Sequence, residues 1–229
     1  PKYIQNGKNL EPKTVQLMAL FNQTVGNYPY KQYSVIQAGD GGMEYAMCTL
    51  ILGGGNFDGL VGLVAHEMGH SWFQHILASN ESKHGWMDEG FTSFLEDYSM
   101  NEIAEKKEEN PFVGAYKGYL SMANSGKELP QTTHADRFDE NRVYSITSYS
   151  KGEIFLTQLR AILRASAYGQ ARIMIPMLAH VKEIDETLRL IEKAKHQLHQ
   201  RGQAFNPNIQ VGAMIEIPAA ALMLPLFIN

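Results

Sequence analysis

The string His66-Glu67-Met68-Gly69-His70 limits this chain more than any other feature. Two histidines four residues apart fall on one face of an α-helix and can bring two imidazoles to one cation. Glu67, beside them, is placed to handle a proton on a water held by that cation. Glu89 follows His70 after eighteen intervening residues and is the candidate third ligand. Two histidines and a carboxylate leave one position of a tetrahedral zinc ion open, which a catalytic site needs.

The flanking residues fit this reading. Leu60, Val61, Leu63, Val64, Met68, Trp72, Phe73, Ile76 and Leu77 predict a helix with a broad apolar surface, and Asp58, followed by Gly59, is the predicted N-cap. A buried helix bearing two histidines and a glutamate must satisfy those polar groups, and a metal does so directly. The alternative is an amphipathic helix that happens to carry two histidines. Trp86-Met87-Asp88-Glu89-Gly90-Phe91 predicts the opening of a second helix running to about Met100, with Phe91, Phe94 and Leu95 as its apolar stripe. Glu89 then falls in its first turn, facing the first helix.

Two further segments carry candidate chemistry. Gly41-Gly42-Met43-Glu44 lies between strand-like stretches, Tyr33 to Gln37 and Ala46 to Leu52. Gly41 and Gly42 allow close backbone approach to an extended substrate. Glu44 is either a grip for a cationic group, such as a peptide's free amino terminus, or a solvated loop carboxylate. Tyr149, within Ser148-Tyr149-Ser150-Lys151-Gly152, is either a donor to a developing oxyanion or a half-buried tyrosine.

In this order and spacing, the four segments resemble the aminopeptidase N family of zinc metallopeptidases (gluzincins), over about residues 1–155. The resemblance implies an α+β, thermolysin-like catalytic domain, here a fragment with a short sheet ahead of two crossing helices. It implies removal of single residues from peptide amino termini, with one zinc ion on His66, His70 and Glu89. It also implies Glu67 as general base, Glu44 as the amino-terminus anchor and Tyr149 as the transition-state donor. Two positions depart from the family pattern: Tyr45 stands where members usually have Asn, and Asp88 where they often do.

The chain changes character near residue 155. Residues 1–150 carry 11 Lys+Arg against 18 Asp+Glu, whereas residues 151–229 carry 9 against 6. Arg172 to Ile175 and Ile209 to Ile217 are strand-like, and Val181 to Arg201 is a helical pattern striped by Ile184, Leu188, Ile191, Ala194 and Leu198. Gly202 is its predicted C-terminal cap, and Pro218 begins another possible helix. Strand, helix, strand, helix is the pattern of a parallel α/β unit. Leu159 to Ser166, Arg172 to Met177 and Gly212 to Ala220 are similar to enzyme I of the bacterial phosphoenolpyruvate:sugar phosphotransferase system. That resemblance implies that residues 156–229 form an α/β segment like part of a (β/α)8 phosphoenolpyruvate-binding barrel, with Glu216 as a magnesium ligand. The rest of that site, including its cysteine, has no counterpart here. The chain thus reads as a chimera, incomplete in both parts. The expected function is zinc-dependent aminopeptidase, the alternatives being a fragment of a phosphoenolpyruvate-dependent phosphotransferase or an inactive chimera.

Bulk properties narrow the partners. A net charge of −4 without a basic stripe argues against nucleic acid, and no run of 18 apolar residues predicts a membrane helix. The expected partner is a peptide substrate, in a bacterial cytoplasmic or periplasmic setting. One cysteine, Cys48, rules out an internal disulfide. The run Glu102 to Glu109 is expected to be solvated. His75, His84, His134, His180, His196 and His199 lack a shared ligand spacing, although His196 and His199 sit one helical turn apart.

Overall fold

A computed structural model describes residues 2–39, 41–175, 181–215 and 221. The chain divides into two compact units, Pro1–Leu156 and Thr157–Asn229.

The first unit opens with α1 (Lys2–Thr24), which holds Pro12 in its interior. Its buried residues Leu10, Leu17 and Phe21 share one face by their spacing, and Phe21 meets Trp72 edge-on at 5.6 Å between ring centroids. Trp72 Nε1 donates to the Gly26 carbonyl at 2.9 Å, which pins the chain just after α1.

Three short strands come next: β1 (Ser34–Ala38), β2 (Met43–Tyr45) and β3 (Cys48–Leu52), in sheet order β1-β3-β2. β1 runs parallel to β3, and β2 antiparallel to it with Glu44 opposite Thr49. The Gly-Gly-Met-Glu segment is therefore not a connection between two strands: its second half is itself a strand. Pleating alternates its side chains, so Glu44 is half-buried while Met43 and Tyr45 are exposed. The hairpin turn forces Met47 to a left-handed φ of 62°.

α2 (Phe57–His70) continues without a break into a π-helical segment, Ser71–Ile76. Its N-cap is Asn56, whose Oδ1 accepts from Gly59 N at 2.6 Å, rather than the expected Asp58. Asp58 lies instead in the first turn, where a carboxylate suits the helix dipole. Leu60, Val61, Val64, Met68, Trp72 and Phe73 are buried, but Leu77 is exposed just past the π-helical end.

α3 (Gly85–Ile103) packs across α2, and Phe91, Phe94 and Leu95 are buried as expected. Residues 104–110 leave the helix as an exposed charged loop. After α4 (Val113–Ser125) comes a continuous helical stretch: α5 (Asn141–Ser145), a π-helical segment Ile146–Ser150, and α6 (Lys151–Ala165). The unit boundary falls inside α6.

In the second unit, β4 (Arg172–Ile175) and β5 (Gln210–Ala213) pair in parallel, joined through α7 (Val181–Gln200). This strand–helix–strand order is the unit from which parallel α/β sheets are built. Ile191, Ala194 and Leu198 are buried, but Leu188 is 42% exposed and Leu190 takes its place in the core. Gly202 adopts φ 63° and caps α7, with Gln203 N donating to Leu198 O at 2.9 Å. Glu216, His180 and the helix expected from Pro218 fall on or run into residues outside those described. Among the described residues, no helix is long and apolar enough to cross a membrane.

Candidate metal centre

His66 and His70 occupy the last turns of α2, both buried, with ring centroids 5.1 Å apart. Glu89 is the fifth residue of α3, a little beyond the expected first turn, and faces them from the crossing helix. Its Oε2 lies 3.2 Å from His66 Nε2 and 3.4 Å from His70 Nε2. One donor atom from each of the three residues falls within 4.8 Å of the others.

The opposite nitrogens of both rings are also held. His70 Nδ1 meets Asp88 Oδ1 at 2.6 Å, and His66 Nδ1 meets Glu96 Oε2 at 3.1 Å. Each Nδ1 that donates to its carboxylate fixes its ring, so that Nε2 donates to Glu89 while protonated and, once deprotonated, turns its lone pair to a cation shared with Glu89. Asp88 enters the sequence reading only as a departure from a family pattern, and Glu96 is absent from it. The signal for Glu96 was present: it lies seven residues beyond Glu89, two turns along the same face of α3.

This crowding sets the electrostatics. Burial alone would keep both imidazoles neutral. Glu89 and Glu96 outweigh it at His66, holding its pKa at about 9, and Asp88 and Glu89 hold His70 at about 10. Burial raises Glu89, but the two imidazoles outweigh that and keep it at about 2. Glu67 is pushed up to about 7, chiefly by burial.

Gly42 lies against Glu67: a Cβ added there would collide with Glu67 Oε1 and fall 2.6 Å from Leu63 Cδ1, so a side chain at this position would push the carboxylate and the leucine aside. The other carboxylate oxygen of Glu67 is buried and has no hydrogen-bond partner among the described residues. Gly41, by contrast, is exposed and a side chain there would touch nothing within 4 Å. Glu44 reaches the same place from β2: its carboxylate, His70 and Asp88 offer donor atoms within 4.8 Å of one another. The Tyr149 ring lies parallel to that of His66 at 5.5 Å, and burial, then the Glu89 charge, pushes its hydroxyl pKa up. His66, Glu67, His70, Glu89, Glu44, Gly42 and Tyr149 thus meet in one place, and Gly41, next to Gly42, is open to solvent.

Two imidazole nitrogens, one carboxylate, a carboxylate on each Nδ1 and an unpaired glutamate oxygen beside them fit a zinc ion. A cavity of about 410 Å³ lies elsewhere, between α1 and the sheet, with Leu10, Tyr33, Val35, Gln37, Ile51 and Leu60 on its walls.

Comparison with known proteins divides along the chain. The profile of the peptidase family M1 domain matches residues 11–173, and that of the PEP-binding domain of PEP-utilising enzymes matches residues 142–229. An M1 zinc metallopeptidase from Deinococcus radiodurans superposes with TM-score 0.55 at 18% identity, over 90% of this chain and 46% of that one. A complex of an M1 zinc metallopeptidase mutant from that organism with a Tyr-Ser-Ala substrate gives 0.56 at 17%, over 85% and 45%. These likenesses are of fold. Among curated proteins, the phosphoenolpyruvate-protein phosphotransferase of Cupriavidus necator is 64% identical over 146 residues, covering 57% of this chain and 25% of that protein. The Bacillus subtilis protein of that name is 49% identical over 71 residues, covering 31% and 12%. The chain spans about a quarter or less of the length of these curated relatives. The last 88 residues carry the second of these resemblances, but by a match that takes in most of its length the chain belongs to peptidase family M1.

Proposed function

We propose that the first unit, a thermolysin-like catalytic fragment, is a zinc-dependent aminopeptidase that removes amino-terminal residues from peptides. The observation that carries this is the convergence of both Nε2 atoms on Glu89, with each Nδ1 held by its own carboxylate. His66, His70 and Glu89 would hold one zinc ion. When bound, zinc polarises the scissile carbonyl and lowers the pKa of a water toward about 7. Glu67 is the general base: its unpaired oxygen takes the proton of the attacking water and passes it to the leaving amine nitrogen. The Tyr149 hydroxyl, kept protonated by burial and by Glu89, donates to the oxyanion as the carbonyl becomes tetrahedral. Glu44 pairs with the free amino terminus and sets the register of the cut, while Gly42 and Gly41 pass the substrate backbone. The test is hydrolysis of aminoacyl substrates by zinc-loaded protein. Glu67→Gln should keep one zinc and lose turnover by about 10²–10⁴-fold. Undiminished turnover in that variant would sink the mechanism.

A second reading rests on the identity to the Cupriavidus necator phosphotransferase. In it residues 156–229 are part of a phosphoenolpyruvate-binding (β/α)8 barrel with magnesium at Glu216. Calorimetry with phosphoenolpyruvate and magnesium decides it, and no heat of binding would remove it.

A further inference from the structure

We infer that the contact between Gly90 and Gly152 positions Tyr149 against the histidine pair, an inference that rests on the aminopeptidase reading for its catalytic meaning. The helices α3 and α6 approach backbone to backbone here. A Cβ on Gly90 would fall 2.6 Å from Gly152 Cα and 3.1 Å from Ser148 O. A Cβ on Gly152 would fall 2.8 Å from both Gly90 Cα and Trp86 O. These neighbours are backbone atoms, so a methyl group on either side can be relieved only by moving a helix.

The contact joins the two halves of the site. Gly90 is the residue directly after Glu89, and Gly152 lies three residues, nearly one turn, after Tyr149. Tyr149 itself stands in the π-helical segment Ile146–Ser150. Such a segment holds an extra residue per turn, which rotates the helix on its N-terminal side relative to the helix on its C-terminal side. Tyr149 therefore takes its direction from where α6 is anchored, and the glycine pair is that anchor. With it in place, the Tyr149 ring lies within 7° of parallel to His66, and Tyr144 braces it edge-on at 6.4 Å.

The test compares wild type, Gly152→Ala, Gly90→Ala, Tyr149→Phe and Gly152→Ala/Tyr149→Phe. In crystals of metal-free Gly152→Ala, the Tyr149 ring should leave its 5.5 Å separation from His66 by about 1 Å or more while His66, His70 and Glu89 stay together. With zinc, kcat should fall by about 10²-fold with little change in KM, and the double variant should be no slower than Tyr149→Phe alone. Gly90→Ala should displace the ring in the same sense from the other helix. An unmoved ring, additive losses in the double variant, or failure of both alanine variants to fold would overturn the positioning role. Ring displacement in a protein whose wild type hydrolyses no peptide would uphold the contact and defeat the aminopeptidase reading instead.

Discussion

Helix α2 and helix α7 each carry two histidines about one turn apart, His66 with His70 and His196 with His199. Those of α2 are buried, and each of their four ring nitrogens has a carboxylate oxygen within 3.4 Å. Those of α7 are exposed, and among the described residues no potential metal-ligand group includes them. Spacing along one helix is common to both. The difference is a second helix, α3, which brings Asp88, Glu89 and Glu96 against α2, and the burial that makes unpaired charge costly there. A histidine pair becomes a site when a neighbouring element answers it.

The largest effect expected from this contrast is on metal content. His70→Ala should abolish stoichiometric zinc, whereas the His196→Ala/His199→Ala double variant should keep one ion per chain by mass spectrometry. Loss of zinc from the α7 variant, or its retention in His70→Ala, would erase the distinction. Next is pH. Both α2 imidazoles have pKa values raised to about 9 and 10, so in the metal-free protein each carries a proton at pH 7 that zinc must displace. Zinc affinity should therefore fall by about a hundredfold for each pH unit below 9, and about two protons should be released per ion at pH 7. Titration in buffers of different ionisation heat counts them, and zero release would mean that the rings are neutral. Asp88→Asn and Glu96→Gln probe the outer carboxylates; each should cost about 10–100-fold in zinc affinity, read by competition with a chelator. The smallest effect lies outside the site. Met47→Gly should stabilise the chain by about 1 kcal/mol in denaturant melts, since its left-handed φ is strained for a side-chain-bearing residue. It should leave zinc affinity unchanged.

Much of this centre was legible because a short helix repeat and one distant carboxylate carry it. His66, His70, Glu67 and Glu89 could be named from spacing, and apolar residues on one face identified α2 and α3 as helices. What escaped depends on three dimensions. Glu96 lies on the readable face of α3, but only the crossing of α3 over α2 shows that this face meets His66. Asn56 and Asp58 are both good caps, and which one caps depends on where the chain turns out of the sheet. α1 was hidden because Gly7 and Pro12 interrupt it, although Leu10, Leu17 and Phe21 already lay on a common face. In the second unit, Leu188 fits the predicted stripe of α7, yet Leu190 is the buried residue. The pattern fixes a helix's period more firmly than its rotation.

The strand β2 has a consequence for reading substrate preference. Adjacent positions in it look in opposite directions, Glu44 toward His70 and Asp88 and Tyr45 toward solvent. The exchange of asparagine for tyrosine at position 45 therefore belongs to the outside of the molecule. Under the proposed aminopeptidase reading, Glu44 is the residue of this strand that bears on the site, and position 45 is a surface position.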